Sequence, residues 1–478
     1  MKQTIVLLLF FSVSVFAFSN ELESEGAGPE AESREASTED AGQTDPSDIE
    51  SVVDEWRRTL TYGIDSEVLE LLPQLREDGR NEVAGEVLDV MAISLNPEVR
   101  IEALRYFTEL RLDDAEEAVT DIIISAAETE QPAPLLQEAL RYVESVANEP
   151  APALVAGIRA IAEGRDQRTA AAAVRTLGNV GGDDDVEFLL SLYEDRGTSQ
   201  EVKQAILLSL GDLGDLSAEQ LLLSIAEDSA VPNTSRYYAI DSLSKIGSED
   251  AVPLFQDLLG SDDAILRSYA IAALSRYETD EVDETLVRAL RDSFWRVRVS
   301  ALTGIAERGH EGAMPAVKYK LERDPEMRVR YEAAKTIGAI GTEEAWDYLR
   351  ELYVDETVPV TVRNSIAEQL IHGDLDGSLE ALATVFEQEW ERDGSVLLDY
   401  AAKELSKIEA DGVGDLYATL LGHPNFIIQI YAIRGIGANG LARFQEDLAA
   451  LADHESAHRA VRSNARASLD SLGVHQEE

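Results

Sequence analysis

In "VRVSALTGIAERG", residues 297–309, Arg298 is followed by Ala301 three residues on, Ile305 seven on and Gly309 eleven on. The arrangement returns in "VRIEALRYFTELR" from Val99, "SRYYAIDSLSKIG" from Ser235, "LRSYAIAALSRYE" from Leu266 and "VRYEAAKTIGAIG" from Val329. With the basic residue as position zero, registers fall at 100, 136, 170, 203, 236, 267, 298, 330, 363, 398, 429 and 462. The spacing of about 33 residues lies in the range of helical solenoids.

The columns give the physical reason for the pattern. Position +3 is alanine in ten of twelve units, Ile206 and Ile366 being the exceptions, and a small residue there lets neighbouring helices approach closely. Position +7 is apolar in all twelve, from Phe107 to Leu469, and −1, +4 and +10 are mostly apolar, which makes one face of a helix. Glycine holds +11 in seven units, including Gly181, Gly214, Gly247, Gly309 and Gly341, where a left-handed residue ends a helix. Between these helices runs a second apolar pattern, as in "AVPLFQDLLGSDD" and "TLVRALRDSF". Each unit is therefore a helical hairpin that cannot bury its apolar face alone, so hairpins must stack. "SDIESVVDEWRRTLTYG" and "SEVLELLPQLREDG" supply helices ahead of the first register, and Arg466 at +4 of the last unit provides the charged outer face a terminal cap requires.

Composition agrees. At 478 residues the chain exceeds what one core can serve, hydrophobic residues reach 45% and aromatics only 6%, which favours packed helices over sheets. The formal charge of −51 repels phosphate backbones and argues against a nucleic-acid partner. Lysine is scarce and arginine common, so the acidity reads as a mark of saline surroundings ahead of a chosen basic partner. With no cysteine, disulfides and thiol chemistry are excluded.

Residues 1–19 read as a signal peptide: one lysine, an apolar run from Ile5 to Phe18, and small residues suited to cleavage after Ala17 or Ser19. The run is too short to span a bilayer comfortably and no later stretch reaches the roughly 18 residues needed, so the mature chain is expected to be exported, periplasmic or secreted, without a transmembrane segment. Residues 20–48 are acidic, nearly devoid of large apolar side chains, and expected to be disordered; the solenoid is expected over 49–478.

At this point the sequence resembles the HEAT-repeat family, especially the short HEAT-like repeats of the phycobilisome-lyase type, whose second helix begins V-R-x-x-A and ends L-G-x-I-G. The resemblance covers roughly residues 65 to 473 and recurs a dozen times. It implies an all-α, right-handed α-solenoid, HEAT/armadillo-like, of about 12–13 helical hairpins, with the second helices lining the concave side. It also implies a ladder between units, made by an aspartate before the second helix and the basic residue that opens it. Asp292 with Arg298 and Asp324 with Arg330 match that spacing, and the basic column adds Arg100, Lys203, Arg236, Arg267, Arg363 and Arg462. Leu136, Ala170, Leu398 and Gln429 depart from it and should interrupt the ladder. Tetratricopeptide and ankyrin signatures are absent.

Two motif spellings dissolve in this register. "DHESAH", residues 453–458, contains the H-E-x-x-H of zinc peptidases, but it falls at −8 to −4, between the two helices of the last hairpin, where His454 and His458 do not share one helical face. A third ligand would have to be His475, Glu477 or Glu478, beyond the last periodic position, and Arg459 follows the second histidine. "GIGANG", residues 435–440, spells the dinucleotide-loop fingerprint, yet it ends a helix instead of following a strand. Neither catalytic residues, nor a metal site, nor a cofactor is expected.

Positions +1, +2, +5 and +9 point away from the apolar face. Position +5 holds Arg105, Arg141, Arg175, Lys335, Lys403 and Arg434, while +2 holds Tyr238, Tyr269, Tyr400 and Tyr431, with Tyr237 and Tyr331 beside them. Tyrosine and arginine are favoured anchors, so these columns suggest a groove for an extended acidic or peptide ligand. The competing reading is surface pairing within one helix: Arg105 with Glu102 or Glu109, Arg141 with Glu138 or Glu144, Lys335 with Glu332, Lys403 with Asp399. Arg175 and Arg434 have no such neighbour. The function expected is that of an exported, non-enzymatic scaffold for a protein or peptide partner; the alternative is a lyase-type HEAT-like enzyme, or enzyme accessory, acting on a small ligand.

Overall fold

The structure, a computed structural model, describes residues 46–126, 131–146, 150–410, 412–454 and 456–473, with side chains from Val52 onward. The expected signal peptide and nearly all of the expected leader lie outside the described residues, as do Glu455, His475, Glu477 and Glu478. The chain divides into two compact units, residues 1–55 and 56–478. Of the first, the described part is the beginning of the helix Pro46–Tyr62.

Twenty-six α-helices and no strand occur among the described residues, and they alternate as the first (A) and second (B) helices of hairpins. All twelve registers fall on B helices, from Pro97–Leu110 to Arg459–Ser471, and Asp65–Glu77 adds a further B helix ahead of them. Each B helix packs against the next in an unbroken series through the second unit. A helices meet their A neighbours closely at few junctions, such as Glu116–Ser125 with Pro152–Ala162 and Glu343–Val354 with Leu375–Glu389. The chain is thus an all-α solenoid whose units are closest along the B layer.

The +3 and +7 columns build that layer. Ala103, Ala239, Ala301 and Ala465 are fully buried, as are Phe107, Leu177, Leu243, Ile305 and Ile436. A further column operates here that hydropathy does not reveal. The +6 hydroxyls of Ser209, Ser242, Thr336 and Ser468 donate to the +4 carbonyls of the preceding B helix, those of Val174, Leu207, Leu302 and Ile433, over 2.6 to 3.1 Å. Gly178, Gly211 and Gly437, at +8 of the preceding helix, face Ser209, Ser242 and Ser468, where an added Cβ would stand 2.6 to 2.8 Å from their nearest atoms. Missing side chains and inward hydroxyls let the helices touch at this seam.

The B helices end as the +11 column predicts, with one exception. Gly214, Gly247, Gly309, Gly341, Gly440 and Gly473 have φ between 57° and 74°, and Arg111 takes the same conformation at φ 54°. Gly181 does not: its φ is −77° and ψ 175°, extended backbone. The next N–H, that of Gly182, is held by the Asp185 carboxylate, itself bound by Arg159, and this tie draws the connection straight into the following helix. In five units a short 3₁₀ turn leads into the A helix, for example Glu249–Ala251, whose Ala251 is fully buried.

Position zero clamps its own hairpin. Arg236, Arg330 and Arg363 donate through Nε to the carbonyls of Ala226, Leu321 and Tyr353 at the end of their A helices, and Gln429 does the same to Leu421. Arg267 and Arg298 reach further. Arg267 binds both oxygens of Asp292 at 2.8 and 2.9 Å, and Arg298 both oxygens of Asp324 at 2.9 and 2.7 Å. The aspartate therefore pairs with the arginine of the preceding unit, not with the arginine six residues downstream; Arg298 takes only the carbonyl of Asp292, and Arg330 takes Leu321. Arg363 is fully buried beside Glu389, Lys203 lies 5.0 Å from the Tyr193 ring, and Arg100 has a buried Nε with no hydrogen bond among the described residues. Arg462 is half-buried on the last B helix.

Candidate interaction surface

The outward columns lie on the B helices, but their electrostatics differ along the chain. Arg105 binds Glu102 of its own helix and reaches Glu138 on the next B helix at 3.4 Å, while Arg141 stands 3.9 Å from the same Glu138. Glu109 pairs instead with Arg76. Glu138 is buried between the two arginines, so the first two cations of the expected patch are largely neutralised. Beyond them, Glu144 accepts from Thr176 at 2.8 Å; burial pushes its carboxyl up, against the pull of Thr176, Arg175 and Arg141. Arg175, Lys335 and Lys403 are exposed and form no ion pair among the described residues, so the expected pairs with Glu332 and Asp399 do not form. Arg434 donates to Asn464 at 2.9 Å.

The tyrosines are half-buried. Tyr269 stacks on Tyr237, with ring centroids 5.2 Å apart and planes 8° from parallel, and the Tyr237 hydroxyl donates to Asp263 at 2.8 Å. Burial, then that hydrogen bond, pushes the Tyr237 hydroxyl up to about 12; burial, then Asp241, does the same for Tyr269. Tyr400 donates to Glu368 at 3.3 Å, and burial pushes it up to about 12. Tyr238, Tyr331 and Tyr431 stay half-exposed. Sequence reasoning missed Trp295, at the start of a B helix, whose ring has Arg296 at 5.1 Å and Arg328 at 4.9 Å from its centroid. It stands outside the +2 and +5 columns.

The two motif spellings end as turns and caps. His454 closes the helix Gln445–Asp453, and His458 caps Arg459–Ser471, its Nδ1 accepting from the Ala460 N–H and its ring stacking on Phe426. Gly435 and Gly437 lie inside the helix Phe426–Ala438. Among the described residues no cluster of histidines and carboxylates could hold a metal ion, and no helix is long and apolar enough to cross a membrane.

A family model described as Spirochaete HEAT repeat protein matches residues 60–468. The chain belongs to this HEAT-repeat family. Family membership and fold agree with the resemblance carried by the V-R-x-x-A helices. No curated protein matches the chain. Among solved structures, the HEAT-repeat chain is similar to human deoxyhypusine hydroxylase, at 18% identity and a TM-score of 0.26, over 56% of this chain and 97% of that one. It is also similar to the CpcE and CpcF complex of phycocyanin lyase from Nostoc sp., at 18% identity and 0.31, over 60% and 94%. A third is the karyopherin Kap121p bound to the extreme C-terminus of the protein phosphatase Cdc14p, at 13% and 0.39; the match covers 90% of this chain and 55% of the karyopherin.

Proposed function

We propose that this HEAT-repeat chain is an exported, non-enzymatic scaffold that holds a protein or peptide partner against its B helices. The observation that carries the reading is the exposure of Arg175, Lys335 and Lys403, together with the half-exposed Tyr238 and Tyr431, on a B layer whose packing does not use them. Rigid hairpins joined by the seam hold such side chains at fixed spacing, which limits the entropy lost on binding. The apolar run from Ile5 to Phe18 supports export.

The test is cross-linking capture from the envelope fraction with the native protein and with an Arg175→Glu/Lys335→Glu/Lys403→Glu variant of unchanged helicity. The expected result is a discrete protein partner lost in the variant, and a mature N-terminus next to Ala17 or Ser19. Equal capture by both proteins would overturn the B-face reading, and an intact N-terminus the exported one.

A further inference from the structure

Residues 288–330 carry ten Arg and Lys against six Asp and Glu, a basic island in a chain of net charge −51. Much of that charge is used internally: Arg298 and Lys320 hold Asp324, Arg308 holds Asp283, and Lys318 pairs with Glu344. Arg288, Arg291 and Arg328 are exposed and form no ion pair among the described residues. Arg288 and Arg291 line a cavity of 270 Å³ together with Leu259, Ile271, Thr285, Ala289, Val297 and the Arg267–Asp292 pair. Four residues after Arg291, Trp295 presents the indole that Arg296 and Arg328 cover.

These parts share one chemistry. A guanidinium laid on an indole is held in place while its N–H edge stays available to a carboxylate. The cavity is smaller than the roughly 300–1,000 Å³ of small-molecule sites, so it suits one apolar side chain. Locally positive charge within a Debye length decides what approaches, while the acidic remainder of the surface repels a long phosphate polymer.

We propose that the turn between Arg288 and Trp295, with Arg328 from the next unit, docks an acidic peptide segment of a partner protein. One apolar side chain enters the cavity and flanking carboxylates meet Arg288, Arg291 and Arg328. The proposal rests on the scaffold reading but places the contact at the A-to-B turns instead of the +5 columns.

The probe is a fluorescein-labelled peptide of twelve residues, glutamates around a central leucine, followed by anisotropy with the full chain at about 0.1 and 0.4 M NaCl. The glutamate peptide is expected to bind more weakly at the higher salt. Arg288→Ala/Arg291→Ala/Arg328→Ala is expected to lower its affinity by about tenfold at unchanged melting temperature, and serine in place of the peptide's leucine to lower it further. Arg175→Glu/Lys403→Glu should leave this binding unchanged, so loss of binding in that variant alone overturns the island while leaving the B-face reading standing. Absence of binding, equal binding by the island variant, tighter binding of the lysine counterpart, or comparable binding of a twelve-nucleotide single-stranded DNA also overturns it.

Discussion

Asp324 shows how one residue joins two units. Its side chain has no solvent exposure, both oxygens are bound by Arg298, and Lys320 donates to one of them at 3.2 Å. Burial pushes the carboxyl up, but the hydrogen bonds from Arg298, the Glu326 N–H and Lys320 outweigh it and hold the group below the ordinary carboxylate range. Asp292 is held low too, first by its hydrogen bonds from Arg267. A depressed folded value means the folded chain binds fewer protons than the unfolded one. The stabilisation is therefore complete above the unfolded value of about 4 and is lost as pH falls through the folded one. Asp324→Asn is expected to cost about 3–5 kcal/mol in urea unfolding at pH 7, since it leaves Arg298 buried without its counter-charge. The deficit should shrink as the pH is taken below about 4, and an unchanged urea midpoint at pH 7 would show the pair to be dispensable. The basic column of this ladder was legible in the register and its aspartates were implied by the family resemblance, but their pairing was not legible. Distance along the chain says nothing of which neighbouring unit an arginine faces, and for the same reason the Arg105–Glu138 contact, 33 residues apart, could not be read from one helix.

At the scale of the element, the B helix was legible wherever side chains share hydropathy. Columns +3 and +7 are uniformly small or apolar, so they stand out, whereas +6 contains serine, threonine, tyrosine, glycine and glutamate and shows no trend. What unites the hydroxyls of Ser209, Ser242, Thr336 and Ser468 is where they point, which only the packed pair of helices reveals. The seam makes a sharp prediction for Gly211. A Cβ there would stand 2.6 to 2.7 Å from the Oγ, Cβ and Cα of Ser242, and the Cα belongs to backbone that cannot swing aside. Although alanine is the better helix former by up to about 1 kcal/mol, overpacking at roughly 1–3 kcal/mol wins, so Gly211→Ala is expected to lower the melting temperature. A rise would mean that the helices separate without cost.

At the scale of the whole molecule, length, repeat number and family were all written in the register, and the family match over residues 60–468 follows it closely. The unequal closeness of the A and B layers was not, because apolar periodicity marks a buried face without fixing how near the next helix lies. The net charge of −51 sets the remaining expectation. Exposed like charges repel and are screened by salt, while buried pairs such as Arg298 with Asp324 are screened much less. Melting followed by circular dichroism should therefore shift upward between about 0.05 and 0.5 M NaCl; a downward shift would show that exposed ion pairs outweigh the self-repulsion. The seam has one more implication. A hydroxyl, a carbonyl and an absent side chain make a joint with no address: the surface that Gly178 offers Ser209 is the one that Gly437 offers Ser468. Units meeting at such joints carry little record of their order, so a whole repeat can be copied or excised in the gene and still find a matching neighbour. The individuality of each junction then rests on features outside the seam, such as the stacked tyrosines and the arginines around Trp295.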